Sequence, residues 1–272
     1  MLKYKWCVCD MDGTLLNSRD IISKENEIAL KKLQEIGVEV IIASGRIDLL
    51  MKCFISQLGL KGNIICCNGS LIKNIQTGQT IYSKLINKNI VKEIIEYSLK
   101  NSIGFLIYTK DTIYSSKNNC KAEKYENMNK SLPLEFKIPI KYIDNISASL
   151  IEKMDVFKIL LISNNECIKS LKNYFSAYET LTAVSSLEGL LDIMASDISK
   201  GNALKILSEK TGIDLNDVIV FGDNYNDIEM FECAGMPIAM GNSVEAVKVK
   251  AKYITRSNNE SGIAYAIKNF IL

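Results

Sequence analysis

Two aspartates, Asp10 and Asp12, stand with a single methionine between them in CVCDMDGTLLNS, directly after a run of small apolar residues. Carboxylates at the end of a buried strand are costly, because each loses water and the two repel. Either the pair is a solvated turn of the kind that DG dipeptides favour, or something positive sits between them. A second acidic pair, Asp223 and Asp227, brackets Asn226 in GDNYND after another apolar run. That pair reads as a helix N-terminus, as a cation ligand set, or as both at once. A third apolar run ends in Ser44-Gly45-Arg46, and Lys200 opens the helical stretch SKGNALKILSEKTG. A hydroxyl, loop amides, a guanidinium and an ammonium are the groups that hold phosphate oxygens.

Two scarcities narrow the chemistry. The chain has no histidine, which excludes Ser-His-Asp and Cys-His catalysis, histidine bases and histidine metal ligands. Arginine occurs only at Arg19, Arg46 and Arg256. The eight cysteines include Cys7 and Cys9 in one strand and the adjacent Cys66 and Cys67, with no CxxC spacing, so they read as packing residues of a reducing compartment. A formal net charge of +2, with lysines spread along the chain, gives no field pointing to nucleic acid or an anionic membrane. MLKYKWCVC lacks the pattern of a signal peptide and no run has the length of a membrane span, so a cytoplasmic protein is expected.

The elements that must position these residues follow from apolar periodicity. KWCVCD, VEVIIAS, NIICCNGS, DVIVFGD and MPIAMG read as buried strands. Helical patterns separate them: SKENEIALKKLQEIG, with Ser23 as N-cap and Ile28, Leu33 and Ile36 on one face, then IDLLMKCFISQLG, SKGNALKILSEKTG and NDIEMFECAG. Alternation of this kind predicts a parallel sheet with crossover helices. From about Ile81 to Leu190 the character changes to strand-like IGFLIYT, TIYSS and FKILLIS, a helix through ECIKSLKNYF, and a polar section around Lys117 to Lys130. With 272 residues, 47% of them hydrophobic, the chain has the material for an α/β domain carrying an inserted α+β domain. The expected boundaries are 1–82 and 188–272 for the core and 83–187 for the insertion.

In an open parallel sheet, ligands bind outside the carboxyl ends of the strands. Asp10, Asp12, Asp223 and Asp227 are therefore expected in one crevice, with Ser44 to Arg46 at its edge and Lys200 over it. Two carboxylates roughly 4 Å apart at an effective dielectric near 20 repel by about 4 kcal/mol. A hard dication such as Mg²⁺ relieves this and brings waters and phosphate oxygens with it. The pattern predicts metal-assisted phosphoryl transfer. On an extended segment Asp10 and Asp12 point the same way, and Gly13 turns the backbone aside.

DMDGTLL, SGR, SKG and GDNYND, in that order, resemble the four motifs of the haloacid dehalogenase (HAD) superfamily, and the insertion between the second and third motifs resembles the cap of Cof-type, type IIB phosphatases. CNGS, MGN at Met240 to Asn242, and SNNESGIAYAI are similar as well. The resemblance implies a Rossmann-like three-layer core with a type C2 cap that reads the leaving group. It implies Asp10 as nucleophile forming an aspartyl-phosphate, and Asp12 as acid and then base. Mg²⁺ would be held by the Asp10 carboxylate, the Asp12 carbonyl and Asp223, with Asp227 supporting directly or through water. Ser44 and Lys200 would hold the phosphoryl group, Gly45 and Arg46 would shape their loop, and Asn226 would add a polar contact.

Bland readings stand beside these. Lys200 is otherwise a solvated lysine, and Asn68 and Gly69 are turn residues unless they line the pocket. Arg46 either touches substrate or positions its loop and pairs with an aspartate. The expected function is a Mg²⁺-dependent phosphatase of small phosphate monoesters, sugar phosphates or pyridoxal phosphate-like metabolites by resemblance. The alternatives are a phosphomannomutase-like phosphosugar mutase and a catalytically silent phosphometabolite-binding protein. The expected partner is a small phosphorylated metabolite, with neither nucleic acid nor membrane, for a monomer or small homo-oligomer.

Overall fold

The computed structural model describes residues 3–145, 147–185 and 188–272. Fourteen strands are present among them: β1 (Trp6–Cys9), β2 (Glu39–Ala43), β3 (Asn63–Cys66), β4 (Leu71–Asn74), β5 (Thr80–Ser83), β6 (Gly104–Thr109), β7 (Ile113–Ser115), β8 (Ile140–Tyr142), β9 (Val156–Ile162), β10 (Leu181–Val184), β11 (Leu190–Ala195), β12 (Val218–Gly222), β13 (Met236–Ala239) and β14 (Tyr253–Ile254). The chain divides into two compact units, Met1–Tyr82 with Ser199–Leu272, and Ser83–Ile198.

The first unit is built on an eight-stranded sheet in the order β14-β13-β12-β1-β2-β3-β4-β5. Every pairing from β14 to β3 is parallel, and β4 runs antiparallel to β3. Parallel strands joined by crossover helices are covered on both faces, which is why β1, β3, β12 and β13 are buried along their whole length. Trp6, Val8, Ile41, Ile65, Val220, Leu204 and Met230 share one core under the helices Lys200–Thr211 and Ile228–Cys233. Register then does the positioning. Cys9 lies opposite Phe221 on one side and Ile42 on the other, so β1, β2 and β12 end level with one another.

The helix Lys24–Glu35 has Ser23 as its N-cap, accepting from the Asn26 amide. Its buried residues are Asn26, Leu30 and Leu33, whereas Ile28 and Ile36 are 58% and 46% exposed. The expected face of Ile28, Leu33 and Ile36 is thus corrected: the i, i+4, i+7 row through Asn26 wins, because the Asn26 side chain caps a backbone amide at Ala264.

The second unit is a six-stranded sheet in the order β10-β11-β9-β6-β7-β8, antiparallel except for the parallel pair β7 and β8. The helices Lys88–Lys100 and Asn165–Ser176 supply Val91, Ile94, Ile95, Ile168, Leu171 and Phe175 to its core, against Phe105, Ile107, Ile159 and Leu161. The strand β11, assigned from sequence to the core, belongs here: it pairs with β9 and β10, and the division falls at Ile198/Ser199 instead of near 188. The polar section contains the helix Cys120–Ser131, started by Asn119, whose side chain accepts from the Lys121 and Ala122 amides. Ala122 is its one buried residue, so no apolar stripe marked it.

Candidate active site

Because β1 and β12 are neighbours in register, the residues that follow them meet. The Asp10 amide continues the ladder by donating to Phe221 O at 2.9 Å, and Asp223 follows β12 directly. Carboxylate oxygens of Asp10, Asp223 and Asp227 lie within 4.8 Å of one another. Lys200, the first residue of its helix and fully buried, donates to Asp10 and, at 2.7 Å, to Asp227. Three carboxylates from two distant parts of the sequence and one buried ammonium therefore form a single cluster, in which full ionisation leaves two negative charges uncompensated.

Each carboxylate is held differently. Asp227 is completely buried: Oδ1 accepts from Lys200, and Oδ2 accepts from the amides of Asp223 and Asn224 at 2.9 and 3.1 Å. Its capping and its place in the acidic cluster coexist, as GDNYND allowed. Asp223 accepts the Thr14 hydroxyl at 2.7 Å. Gly13, at φ +86°, passes so near that a Cβ there would sit 2.4 Å from Asp223 Oδ2. Gly222 is pressed against Asp227 in the same way, at 2.7 Å. Glycine at both points lets the backbone approach a carboxylate that any side chain would displace.

Burial pushes the Asp10 carboxyl well above its ordinary range; Lys200 opposes this, while Asp227 and Asp223 add to it. Burial likewise raises Asp223 to about 6, with the Thr14 hydrogen bond pulling the other way. For Lys200, burial disfavours the charge, yet the carboxylates of Asp10 and Asp227 overcome it and hold the ammonium above the usual lysine range. A cluster that prefers to keep protons is one that a cation of higher charge density can stabilise. Hard oxygen donors in a compact buried set fit a divalent ion, which answers the excess negative charge that one lysine leaves.

The remaining candidates form the edge of this group. Ser44 is fully buried after β2, and its Oγ accepts the Arg46 amide at 3.1 Å. Arg46 binds the Asp12 carboxylate through both oxygens, Nε to Oδ2 at 3.0 Å and Nη2 to Oδ1 at 2.5 Å. The aspartate pairing that one of the two sequence readings of Arg46 expects is present. Unlike the other three, the Asp12 side chain is 55% exposed and stands outside the three-carboxylate cluster. Gly45 approaches the Asn68 amide side chain, to which Asn226 Nδ2 also donates at 3.2 Å. Asn68 itself is buried with φ +55°, and Gly69 next to it lies against the Ser199 carbonyl. The CNGS turn thus joins three of the sequence clusters.

Two contributions go beyond what the sequence spacing gives: the Thr14 hydroxyl on Asp223 and the amide side chains behind the loop after β1. Asn242 donates to Gly13 O at 2.8 Å, accepts from the Asn258 amide at 2.9 Å, and Asn258 donates to Leu16 O at 2.8 Å. MGN and SNN thereby lock the loop after β1. Their amide side chains in turn-like settings were the available signal.

Comparison with known proteins gives a consistent picture. The family model of haloacid dehalogenase-like hydrolases matches residues 7–267. The chain is similar to a 5-amino-6-(5-phospho-D-ribitylamino)uracil phosphatase of Bacillus subtilis, 31% identical with 98% of each chain covered. It is similar to a putative phosphatase of Streptococcus pyogenes at 32% identity over the full length of both. A haloacid dehalogenase-like hydrolase from Bacteroides thetaiotaomicron superposes with a TM-score of 0.86, at 28% identity, over 97% of this chain and 98% of that one.

Proposed function

The chain belongs to the haloacid dehalogenase-like hydrolases and is a phosphatase of that family acting on small phosphate monoesters; from that premise we propose that it is Mg²⁺-dependent and works through an aspartyl-phosphate on Asp10. The observation behind this reading is the meeting of Asp10, Asp223 and Asp227 around the buried Lys200. Asp10 and Asp223, with the Asp12 carbonyl, would hold the ion. Bound there, Mg²⁺ supplies charge neutralisation for the cluster and for phosphate oxygens.

In the first half of the reaction an Asp10 oxygen bonds to phosphorus and the bond to the leaving oxygen breaks. Asp12 gives that oxygen a proton, which suits a side chain next to Asp10 in the loop yet open to solvent. Lys200 has three donors; Asp10 and Asp227 take two, and the third serves a phosphoryl oxygen. The Ser44 hydroxyl accepts from Arg46 N and keeps its own proton to donate to the same group. In the second half water attacks the aspartyl-phosphate and Asp12 takes its proton. Asp227, with both oxygens engaged, acts by holding Lys200 and the 223–224 turn.

The inserted unit, residues 83–198, is the element we assign to recognition of the leaving group. Sugar phosphates, pyridoxal phosphate and a ribityl phosphate such as the Bacillus relative's name describes make up the substrate class. With no disulfide among its cysteines, the protein suits a reducing, cytoplasmic setting. The test is phosphate release from a panel of these esters, with Mg²⁺ and then with EDTA, for the native protein and Asp10→Asn. Release that EDTA abolishes, and a loss of about 10⁴-fold or more in Asp10→Asn, is expected. Retained activity in that variant contradicts the covalent route; conversion of a hexose 1-phosphate to the 6-phosphate with little phosphate release marks a mutase instead.

A further inference from the structure

The ladder between β1 and β12 runs from Trp6 to Cys9 and is continued by the Asp10 amide on Phe221 O. The Asp12 carbonyl and Asp223, both expected to hold the ion, lie past that point on two separate loops. The first loop contains Gly13 at φ +86°, and glycine has the widest choice of backbone conformations. Rotation at Gly13 turns the peptide groups on either side of it, the Asp12 carbonyl included. One turn, residues 240–244, reaches both loops. On the β12 side the Met240 amide and the Ser243 hydroxyl each donate to Gly222 O at 3.1 Å, and the Val244 amide donates to Asp223 O at 2.9 Å. On the β1 side Asn242 Nδ2 donates to Gly13 O at 2.8 Å.

Asn242 is held in turn. Its Oδ1 accepts the Asn258 amide at 2.9 Å, so both ends of the side-chain amide are engaged, in the one orientation that matches donor to acceptor. The Gly241 amide donates to Arg256 O at 3.0 Å, and a Cβ on Gly241 would lie 2.8 Å from the Ser257 nitrogen. The turn is thus fastened to β12 and to residues 256–258, and Asn242 carries that support across to the loop of Asp10. We infer that Asn242 is a positioning residue for the ion site, an inference that rests on the metal-dependent reading above. By pinning the Gly13 carbonyl to the turn that also holds Gly222 and Asp223, it sets the spacing between the two loops before an ion arrives. Clustered carboxylates repel one another, so a loop free to rotate at Gly13 would draw away. An ion would then have to order that loop on binding, at a cost in affinity.

The test compares two asparagines that hold the same loop at different points, since Asn259 Oδ1 accepts the Ser18 amide at 2.9 Å. Removing a residue that holds an ion's ligand in place weakens binding, so Mg²⁺ titration should give an affinity about tenfold below native in Asn242→Ala and within about twofold of native in Asn259→Ala. Urea unfolding in EDTA, which reads the fold without the ion, should shift by similar amounts in the two variants, each having lost one side-chain bond to the loop. Asn242→Gln keeps a donor on a longer arm and should fall between native and Asn242→Ala; it also serves as the comparison if the alanine variant fails to fold. Native affinity in Asn242→Ala overturns the inference. So does an equal loss in Asn259→Ala, which would assign both asparagines to general stiffness of the loop. Asp223→Asn keeps the inference apart from the reading beneath it. Native affinity in that variant removes the ion site itself, whereas a loss there with none in Asn242→Ala removes only the role given to Asn242.

Discussion

At the scale of single residues, the acidic cluster is set as much by the glycines beside it as by its carboxylates. Gly13 combines a left-handed backbone with an approach to Asp223 that leaves no room for a methyl group. Gly13→Ala should therefore destabilise the fold by more than about 1 kcal/mol and also weaken divalent-ion binding, measured by urea unfolding and by ion titration. An unchanged midpoint and unchanged ion affinity would show that the loop relaxes freely. The identity of the clustered residues was legible in the sequence because apolar runs ending in Asp, Ser-Gly and Gly-Asp mark strand ends. Side-chain direction was not legible: the i, i+2 spacing predicts Asp10 and Asp12 on one side, whereas the Asp12 side chain is 55% exposed, pairs with Arg46 and lies outside the cluster. For Arg46 the spacing left substrate and aspartate both open. Rotamers are chosen by neighbours from β2, the CNGS turn and the loop at Asp20, which are distant in sequence.

At the scale of elements, the three residues of SKG each answer a different demand. Ser199 caps the helix Lys200–Thr211 by accepting from the Asn202 amide at 3.0 Å and donates its hydroxyl to Glu229. Lys200 enters the cluster, and Gly201 lets this helix touch the backbone of Ile228–Cys233, where a Cβ would lie 2.4 Å from that of Glu229. Ser199→Ala should cost about 1 kcal/mol of stability through the lost cap. Chemical denaturation measures it, and a change below about 0.3 kcal/mol would mean that the cap adds nothing to the turn's other bonds. The strands β1, β2, β3, β12 and β13 were readable because burial on both faces requires continuous β-branched and apolar runs, whereas the more exposed β4, β5 and β14 were not. The helix Cys120–Ser131 and the allegiance of β11 were not. The former buries almost nothing, and the latter depends on a pairing with β9 that local pattern does not encode.

At the scale of the whole molecule, the site makes stability depend on pH and metal together. Asp223 at about 6, and Asp10 also raised, bind protons more tightly in the native state than in the unfolded chain. Their contribution is complete below the ordinary carboxylate range; that of Asp223 is lost as pH rises through about 6, and that of Asp10 as pH rises through its own raised range. A divalent ion replaces those protons, so the rise in Tm on adding Mg²⁺ should be larger near pH 7.5 than near pH 5. A rise of equal size at both values would place the ion elsewhere. Among the described residues no helix is long and apolar enough to cross a membrane. The most direct test is calorimetric titration of Mg²⁺ into the native protein and into Asp223→Asn at neutral pH. One ion per chain, with affinity at least about tenfold weaker in the variant, is expected when Asp10, Asp223 and their neighbours form the cation site. Equal affinity in the two proteins would contradict it.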